Sequence, residues 1–231
     1  MHEVDVISIG DVRPSDDGGD LEEQRAAAPR RTEVALVGSE DGLLQLWVRD
    51  ARGEQHALEA QLDGLITSVR LTRVDAAGHI DAIVCGGSGW AVHFASVVAD
   101  DGSVLDGLRR YALLPRSTEF ECVTCSLVVD LAMRGAAHAP ELLLGTTSGA
   151  LLHYEYVRDG GGMYVHAGCT LMSSPILALG VLAGPDATSV PAQCVVLYSL
   201  DGVHLLRTPV EETLGAIEAA VVRLETLAAR A

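Results

Sequence analysis

Few residues in this chain are spaced for chemistry. Asp75-Ala-Ala-Gly-His-Ile-Asp81 carries a carboxylate at each end, the outline of a calcium loop. Calcium takes six to eight oxygen ligands, and the positions between the two aspartates offer no further carboxylate. Asp130-Leu-Ala-Met-Arg-Gly135 supplies fewer still. Both read as turns. Cys122-Val-Thr-Cys125 is a single CxxC, and a zinc site needs a second pair at suitable spacing. Cys85, Cys169 and Cys194 form no such group, and on a strand Cys122 and Cys125 point to opposite faces. All read as core thiols. Cys85-Gly-Gly-Ser-Gly89 is glycine-rich but has neither a lysine nor the spacing of a nucleophile elbow, so Ser88 reads as a turn residue. His93 and His153 occupy equivalent repeat positions, which fits a structural role. No Ser/His/Asp set or carboxylate pair stands out. The sequence therefore assigns no catalytic, cofactor-binding or metal-binding residue, and the chain reads as a non-enzyme.

Composition narrows the classes further. The chain has 231 residues, 48% apolar and 21% charged, enough to bury a substantial core. Acidic residues outnumber basic ones 32 to 16, a formal charge of −16. Such a field repels phosphate backbones and anionic membrane surfaces, so no nucleic-acid partner is expected. No apolar run approaches the roughly 18 residues that span a bilayer, and Met1-His2-Glu3-Val4-Asp5 does not resemble a signal peptide. A cytoplasmic protein without direct membrane insertion is expected, and the odd count of five cysteines agrees. Lysine and asparagine are both absent. Both use AT-rich codons, so a GC-rich genome explains the bias. Without lysine there is no side-chain amine for a Schiff base.

The elements that would position these residues repeat. An apolar run, a glycine turn and a second run recur at Glu33–Trp47, Ile80–Phe94, Pro140–Tyr154 and Gln193–Leu206. The turn glycines are Gly42, Gly89, Gly149 and Gly202, spaced by 47, 60 and 53 residues. A hairpin tip needs positive φ, which glycine supplies without steric strain. The runs before the turn are nearly continuous in apolar residues, as in strands covered on both faces. After the first turn, Leu44, Leu46 and Val48 point one way and Gln45 and Trp47 the other. A further strand precedes each copy, at Val4–Ile9, Ile66–Leu71, Val123–Val129 and Ile176–Val181. Hairpin signals at Asp50–Gly53, Asp100–Gly102 and Asp159–Gly162 predict a fourth strand in three copies.

Four antiparallel strands in about 50 residues make a propeller blade. The fold class is therefore all-β, a propeller of four-stranded antiparallel blades, over residues 1–208. About three and a half blades are present, short of an obvious ring. The chain reads as a partial propeller: a C-terminal portion, the product of a truncated gene prediction, or a half that must pair. Residues 13–31 read as an acidic, flexible insertion. From 209 to 231 the period changes: Val210, Leu214, Ile217, Val221, Leu224 and Ala228 form the stripe of a C-terminal amphipathic α-helix. Either that helix packs on the last blade or Leu214, Ile217, Val221 and Leu224 bind a partner.

From Glu119 to Arg207 the sequence resembles the C-terminal half of the kaptin family of FG-GAP-like and WD-like propellers. The residues that carry this are Cys122-Val-Thr-Cys-Ser-Leu-Val-Val-Asp130 and Pro140-Glu-Leu-Leu-Leu-Gly-Thr-Thr-Ser-Gly-Ala-Leu-Leu-His-Tyr-Glu-Tyr156. Ser173-Ser-Pro-Ile-Leu-Ala-Leu179 and Ser199-Leu-Asp-Gly-Val-His-Leu-Leu206 extend it. The resemblance implies a scaffold in a KICSTOR-type complex, which restrains amino-acid-sensing TOR signalling at lysosomes. Its implied partners are other propeller and scaffold subunits, with recruitment to the lysosomal surface. The alternatives it leaves are an actin-filament-associated protein of the cytoskeleton, or an integrin-like adhesion or other interaction propeller. No cofactor is implied.

Overall fold

The structure is a computed structural model. It describes residues 2–9, 32–50, 53–74, 79–99, 102–109, 111–119, 122–129, 140–157, 162–182 and 194–207. The expected insertion at 13–31 and helix at 209–231 lie outside the described residues.

The described residues form four antiparallel sheets in chain order. Blade 1 contains β1 (His2–Ile9), β2 (Thr32–Ser39), β3 (Leu43–Arg49) and β4 (Gln55–Gln61). Blade 2 contains β5 (Ile66–Arg73), β6 (Ile80–Gly86), β7 (Ala91–Val98) and β8 (Ala112–Leu113). Blade 3 contains β9 (Val123–Val129), β10 (Glu141–Thr146), β11 (Ala150–Val157) and β12 (Met163–Leu171). Blade 4 has three described strands, β13 (Ile176–Leu182), β14 (Cys194–Ser199) and β15 (Gly202–Arg207). Each sheet is a meander, and the first strands β1, β5, β9 and β13 lie next to one another in succession. This is the propeller arrangement expected from the repeats.

One expected strand is largely missing. After Gly102 the second blade makes a single bridge, Val98 to Val104, before the two-residue β8. Gly107 has φ +58°, which breaks an extended run, and the loop drops Leu108 into the core between blades 1 and 2. Local backbone freedom and an apolar side chain seeking burial outweigh the hairpin signal there.

Three apolar layers lie between successive blades. Leu36, Leu44 and Leu46 of blade 1 meet Val84, Val92 and Phe94 of blade 2. Ile83, Cys85 and Ala91 on the other side of blade 2 meet Leu142, Leu152 and Tyr154 of blade 3. Leu143 and Leu151 of blade 3 meet Ile176, Val195 and Leu197 of blade 4. Central strands are therefore apolar on both faces: every residue of β6 is buried, and so are Leu142–Thr146 of β10. The strand β2 departs from the expected continuous burial. Ala35 and Val37 are only half-buried, because no blade covers that side of blade 1 among the described residues.

The turn glycines have φ of +83°, +77°, +82° and +146° at Gly42, Gly89, Gly149 and Gly202. At Gly42 space adds to conformation. A Cβ there would lie 2.3 Å from the Leu62 carbonyl oxygen, which the outer strand brings over the hairpin. The Gly42 carbonyl in turn accepts the Leu62 N–H at 3.0 Å. Gly42→Ala is therefore expected to destabilise the chain by about 1–3 kcal/mol. Equilibrium urea unfolding should show a lower midpoint at unchanged slope, and an unchanged midpoint would contradict the strained hairpin.

Candidate protein-interaction surface

The register of the four blades defines equivalent positions, and these identify the surface. Leu36 pairs with Leu46, Ile83 with His93, Leu143 with His153 and Val196 with Leu205. Gly38 pairs with Leu44, Cys85 with Ala91, Gly145 with Leu151 and Tyr198 with Val203. In blades 1 to 3 these residues form the forward face, packed on the next blade. The backward face is read in the same way from Ala35–Trp47, Ala82–Phe94, Leu142–Tyr154 and Val195–Leu206. In blades 2 to 4 these face the preceding blade.

Two devices hold neighbouring blades together besides apolar burial. The first is a bulge near the start of the first strand in blades 2, 3 and 4. Thr67 and Thr124 are the extra residues in β5 and β9. Thr67 Oγ1 donates to the Val123 carbonyl of the next blade at 2.6 Å, and Thr124 Oγ1 to the Ile176 carbonyl at 2.5 Å. Bulges commonly re-aim a side chain in this way. In β13 the extra residue is Leu177, which is exposed and has no hydroxyl to donate.

The second device is a buried acid–imidazole pair on the forward face. His93 Nε2 lies 2.6 Å from Asp81 Oδ2, and both side chains are buried. Asp81 Oδ1 accepts the Ser96 N–H at 2.7 Å. Tyr164 of blade 3 meets the His93 ring edge-on at 5.2 Å and Tyr156 at 5.1 Å. Blade 3 repeats the pair, with His153 Nε2 2.5 Å from Glu141 Oε2. The same twelve-residue separation, 81 to 93 and 141 to 153, was the sequence signal for both. Asp81 is thus fully engaged within the protein, and residues 75–78 and 130–139 of the acidic loops lie outside the described residues.

The remaining candidates resolve into structure. Burial pushes the Cys85 thiol well above its usual range, which removes its thiolate character. Cys122 and Cys125 are half-buried and Cys169 is exposed, so Cys85 alone of these four is a core thiol. The placing of Cys169 corrects the reading of all cysteines as core residues: it sits exposed near the end of β12, the outer strand of blade 3. Ser88 lies in the β6–β7 turn. Hydrogen bonds from Ser173, Ser199, Ser174 and His204 hold the Asp201 carboxyl well below the usual range. That cluster ties the β12–β13 loop to the last hairpin. Asp50, Glu54 and His56 could together offer three ligand atoms to a cation, far short of a calcium shell. A shallow groove of about 250 Å³ lined by Val6, Ala35, Trp47 and Arg49 is too small and open to hold a cofactor. Leu214, Ile217, Val221 and Leu224 lie outside the described residues.

What stands out is two faces that no other blade covers among the described residues. The aromatic position five residues after the turn glycine is Trp47, Phe94 or Tyr154. Phe94 and Tyr154 are 0% exposed, each under the preceding blade, whereas Trp47 is 46% exposed. Val4 and Val6 of β1 are exposed beside it. At the other end, Tyr198, Val203 and Leu205 on the forward face of blade 4 are exposed, Leu205 by 59% where Leu46 is 0%, while Val196 on the same face is buried. Contiguous apolar patches of this kind mark interaction sites.

Successive antiparallel blades, packed face to face around adjacent first strands, define a β-propeller. The chain matches the family model for the KICSTOR complex protein kaptin over residues 27–218, and it belongs to that family. Two similar solved chains are crystal structures of BBS1N in complex with ARL6DN. The lead-soaked one is 15% identical with a TM-score of 0.52, covering 76% of this chain and 49% of that one. The mercury-soaked one is 13% identical with a TM-score of 0.46, covering 77% and 48%. At 15% identity the lead-soaked chain shows the fold alone. This chain spans about half the length of the solved chains it matches.

The buried pair yields a test of the register. Asp81→Val alone strands His93 between blades and is expected to lower stability by about 3 kcal/mol. Asp81→Val with His93→Leu installs the blade 1 residues Val34 and Leu46 at equivalent positions. It is expected to recover a large part of that loss in guanidinium unfolding. A double variant no better than the single one would contradict the assigned equivalence.

Proposed function

We propose that this chain is a non-catalytic propeller subunit of a KICSTOR-type complex that negatively regulates amino-acid-sensing TOR signalling at the lysosomal surface. The family match over residues 27–218 carries this reading. The site geometry supports it. Among the described residues the polar clusters tie loops and blades together, and no enclosed cavity holds convergent polar groups. No helix among them is long and apolar enough to cross a membrane, and lysosomal recruitment is proposed to run through protein partners. Those partners are other propeller and scaffold subunits.

The segment 209–231 is the proposed partner-binding helix, through Leu214, Ile217, Val221 and Leu224. Affinity purification of the tagged chain after gentle lysis of its native cells is expected to recover large scaffold subunits and a second propeller protein. Deleting the gene is expected to leave TOR kinase signalling active during amino-acid starvation. Recovery of the tagged chain without other subunits would overturn the reading. Ile217→Asp with Leu224→Asp is expected to reduce recovered subunits severalfold while leaving far-UV circular dichroism of the blades unchanged. Undiminished recovery would remove the helix from the contact.

A further inference from the structure

The serine and aspartate cluster at the last hairpin reverses an arrangement found earlier in the chain. Two segments cross from an outer strand to the next blade over the hairpin of the blade they leave. The Leu62 N–H donates to the Gly42 carbonyl at 3.0 Å, and the Met172 N–H to the Gly149 carbonyl at 2.8 Å. The crossings therefore align, Asp63 with Ser173 and Gly64 with Ser174, and both end at the isoleucine that opens the next inner strand, Ile66 or Ile176. Each also meets the hairpin of the next blade, at the residue before the turn glycine. For the first crossing that residue is Ser88, whose Oγ lies 3.4 Å from where a Cβ on Gly64 would sit. For the last it is Asp201. The acidic residue thus stands on the crossing at one junction and on the hairpin at the other.

Ser173 and Ser174 donate to the two oxygens of the Asp201 carboxylate, Ser174 Oγ from 2.7 Å, and Ser174 Oγ accepts the Asp201 N–H at 3.4 Å. Ser199 and His204 complete the shell. These bonds hold the carboxyl well below its usual range, so Asp201 is an anion at cellular pH, and no arginine is among its hydrogen-bond partners. Ser174 precedes Pro175, and this is the one Ser-Pro or Thr-Pro pair among the described residues. Ser173 is exposed and Ser174 half-buried. The proline holds the serine before it out of the helical region, in the extended form.

We propose that Ser174 is a phosphorylation site for a proline-directed protein kinase, and that its modification releases the crossing from the last hairpin. Ser174 Oγ bonds to the γ-phosphorus of ATP as the bond from that phosphorus to the β,γ-bridging oxygen breaks. ADP leaves, and the kinase's catalytic aspartate takes the hydroxyl proton. The product has lost the O–H that Asp201 accepts. It carries a charge of about −1.5 to −2 at neutral pH, set against a carboxylate with no arginine to neutralise either group. Like charges at hydrogen-bond distance drive the two segments apart. The first crossing shows the compatible arrangement, an acidic residue at a junction whose hairpin carries a neutral serine. A phosphate facing Asp201 is the incompatible one.

Incubating the purified full chain with ATP and an active mitogen-activated protein kinase, followed by peptide mass spectrometry, tests the site. Thr208→Ala leaves Ser174-Pro175 as the one Ser-Pro or Thr-Pro pair in the chain, and phosphate is then expected on Ser174 in most molecules. Ser174→Ala in the same background is expected to take up none. A folded chain left unmodified, or modified at Ser173 in place of Ser174, overturns the site. Hydrogen exchange reads the release. After phosphorylation the amides of the last hairpin, Asp201 included, are expected to exchange roughly tenfold faster, with β10 and β11 unchanged. Asp201→Ser copies the serine of the first junction, and in that chain phosphorylation is expected to leave hairpin exchange unaltered. Equal exchange before and after phosphorylation overturns the release, and so does the same acceleration in the Asp201→Ser chain.

Discussion

Burial of both faces of a sheet is the constraint on which this structure depends. A lone antiparallel sheet with two apolar faces has no stable exposed form in water. Here each central blade is covered on both sides by neighbours, and its middle strand can be buried throughout, as β6 is. The blades are therefore not independent units. Removing one would expose two apolar faces at once, in the manner of repeat proteins whose stability resides in nearest-neighbour interfaces. The threonine bulges act at the same interfaces. Thr67 and Thr124 each bond a carbonyl of their own blade and one of the next, at 3.2 and 2.6 Å and at 3.1 and 2.5 Å. The hydrogen bond sets the angle at which a face meets its neighbour, and apolar burial supplies most of the driving force.

Much of this fold was legible in the sequence because turn chemistry and apolar alternation are local. Gly42, Gly89, Gly149 and Gly202 locate the hairpins, and the strands beside them follow from period two. The fourth strand of blade 2 was not legible. Its fate depends on Gly107 and on whether Leu108 finds a core, and the second of these is a tertiary fact. The interface devices were harder to read. Thr67 and Thr124 look like ordinary β-branched strand residues, and only the register shows them as bulges. Asp81 looked like the end of an acidic loop, whereas its partner lies on the adjacent strand. The matched spacing of Asp81 to His93 and Glu141 to His153 was visible, but spacing alone does not reveal burial.

The position shared by Trp47, Phe94 and Tyr154 shows how a repeat can carry functional information without a motif. An exposed tryptophan taken singly needs no explanation, since folded surfaces are largely apolar. The same tryptophan becomes informative when its equivalents in two other blades are wholly buried. Sequence, register and burial are each needed for that inference, and none alone supplies it. The same reasoning separates Leu205 from a stray surface leucine: its counterparts are Leu46, His93 and His153, all on faces that meet a further blade.

Net charge then decides how such faces can be used. At −16 the chain repels another copy of itself and any other acidic partner at long range. That repulsion is screened over roughly 8 Å at physiological salt, whereas apolar burial acts only at contact. Any association through exposed apolar residues such as Trp47 or Leu205 would therefore be slow to initiate and selective once made, since only a surface able to bury them offsets the repulsion. An acidic surface around exposed apolar residues disfavours indiscriminate aggregation, and the same charge opposes contact with a phosphate backbone.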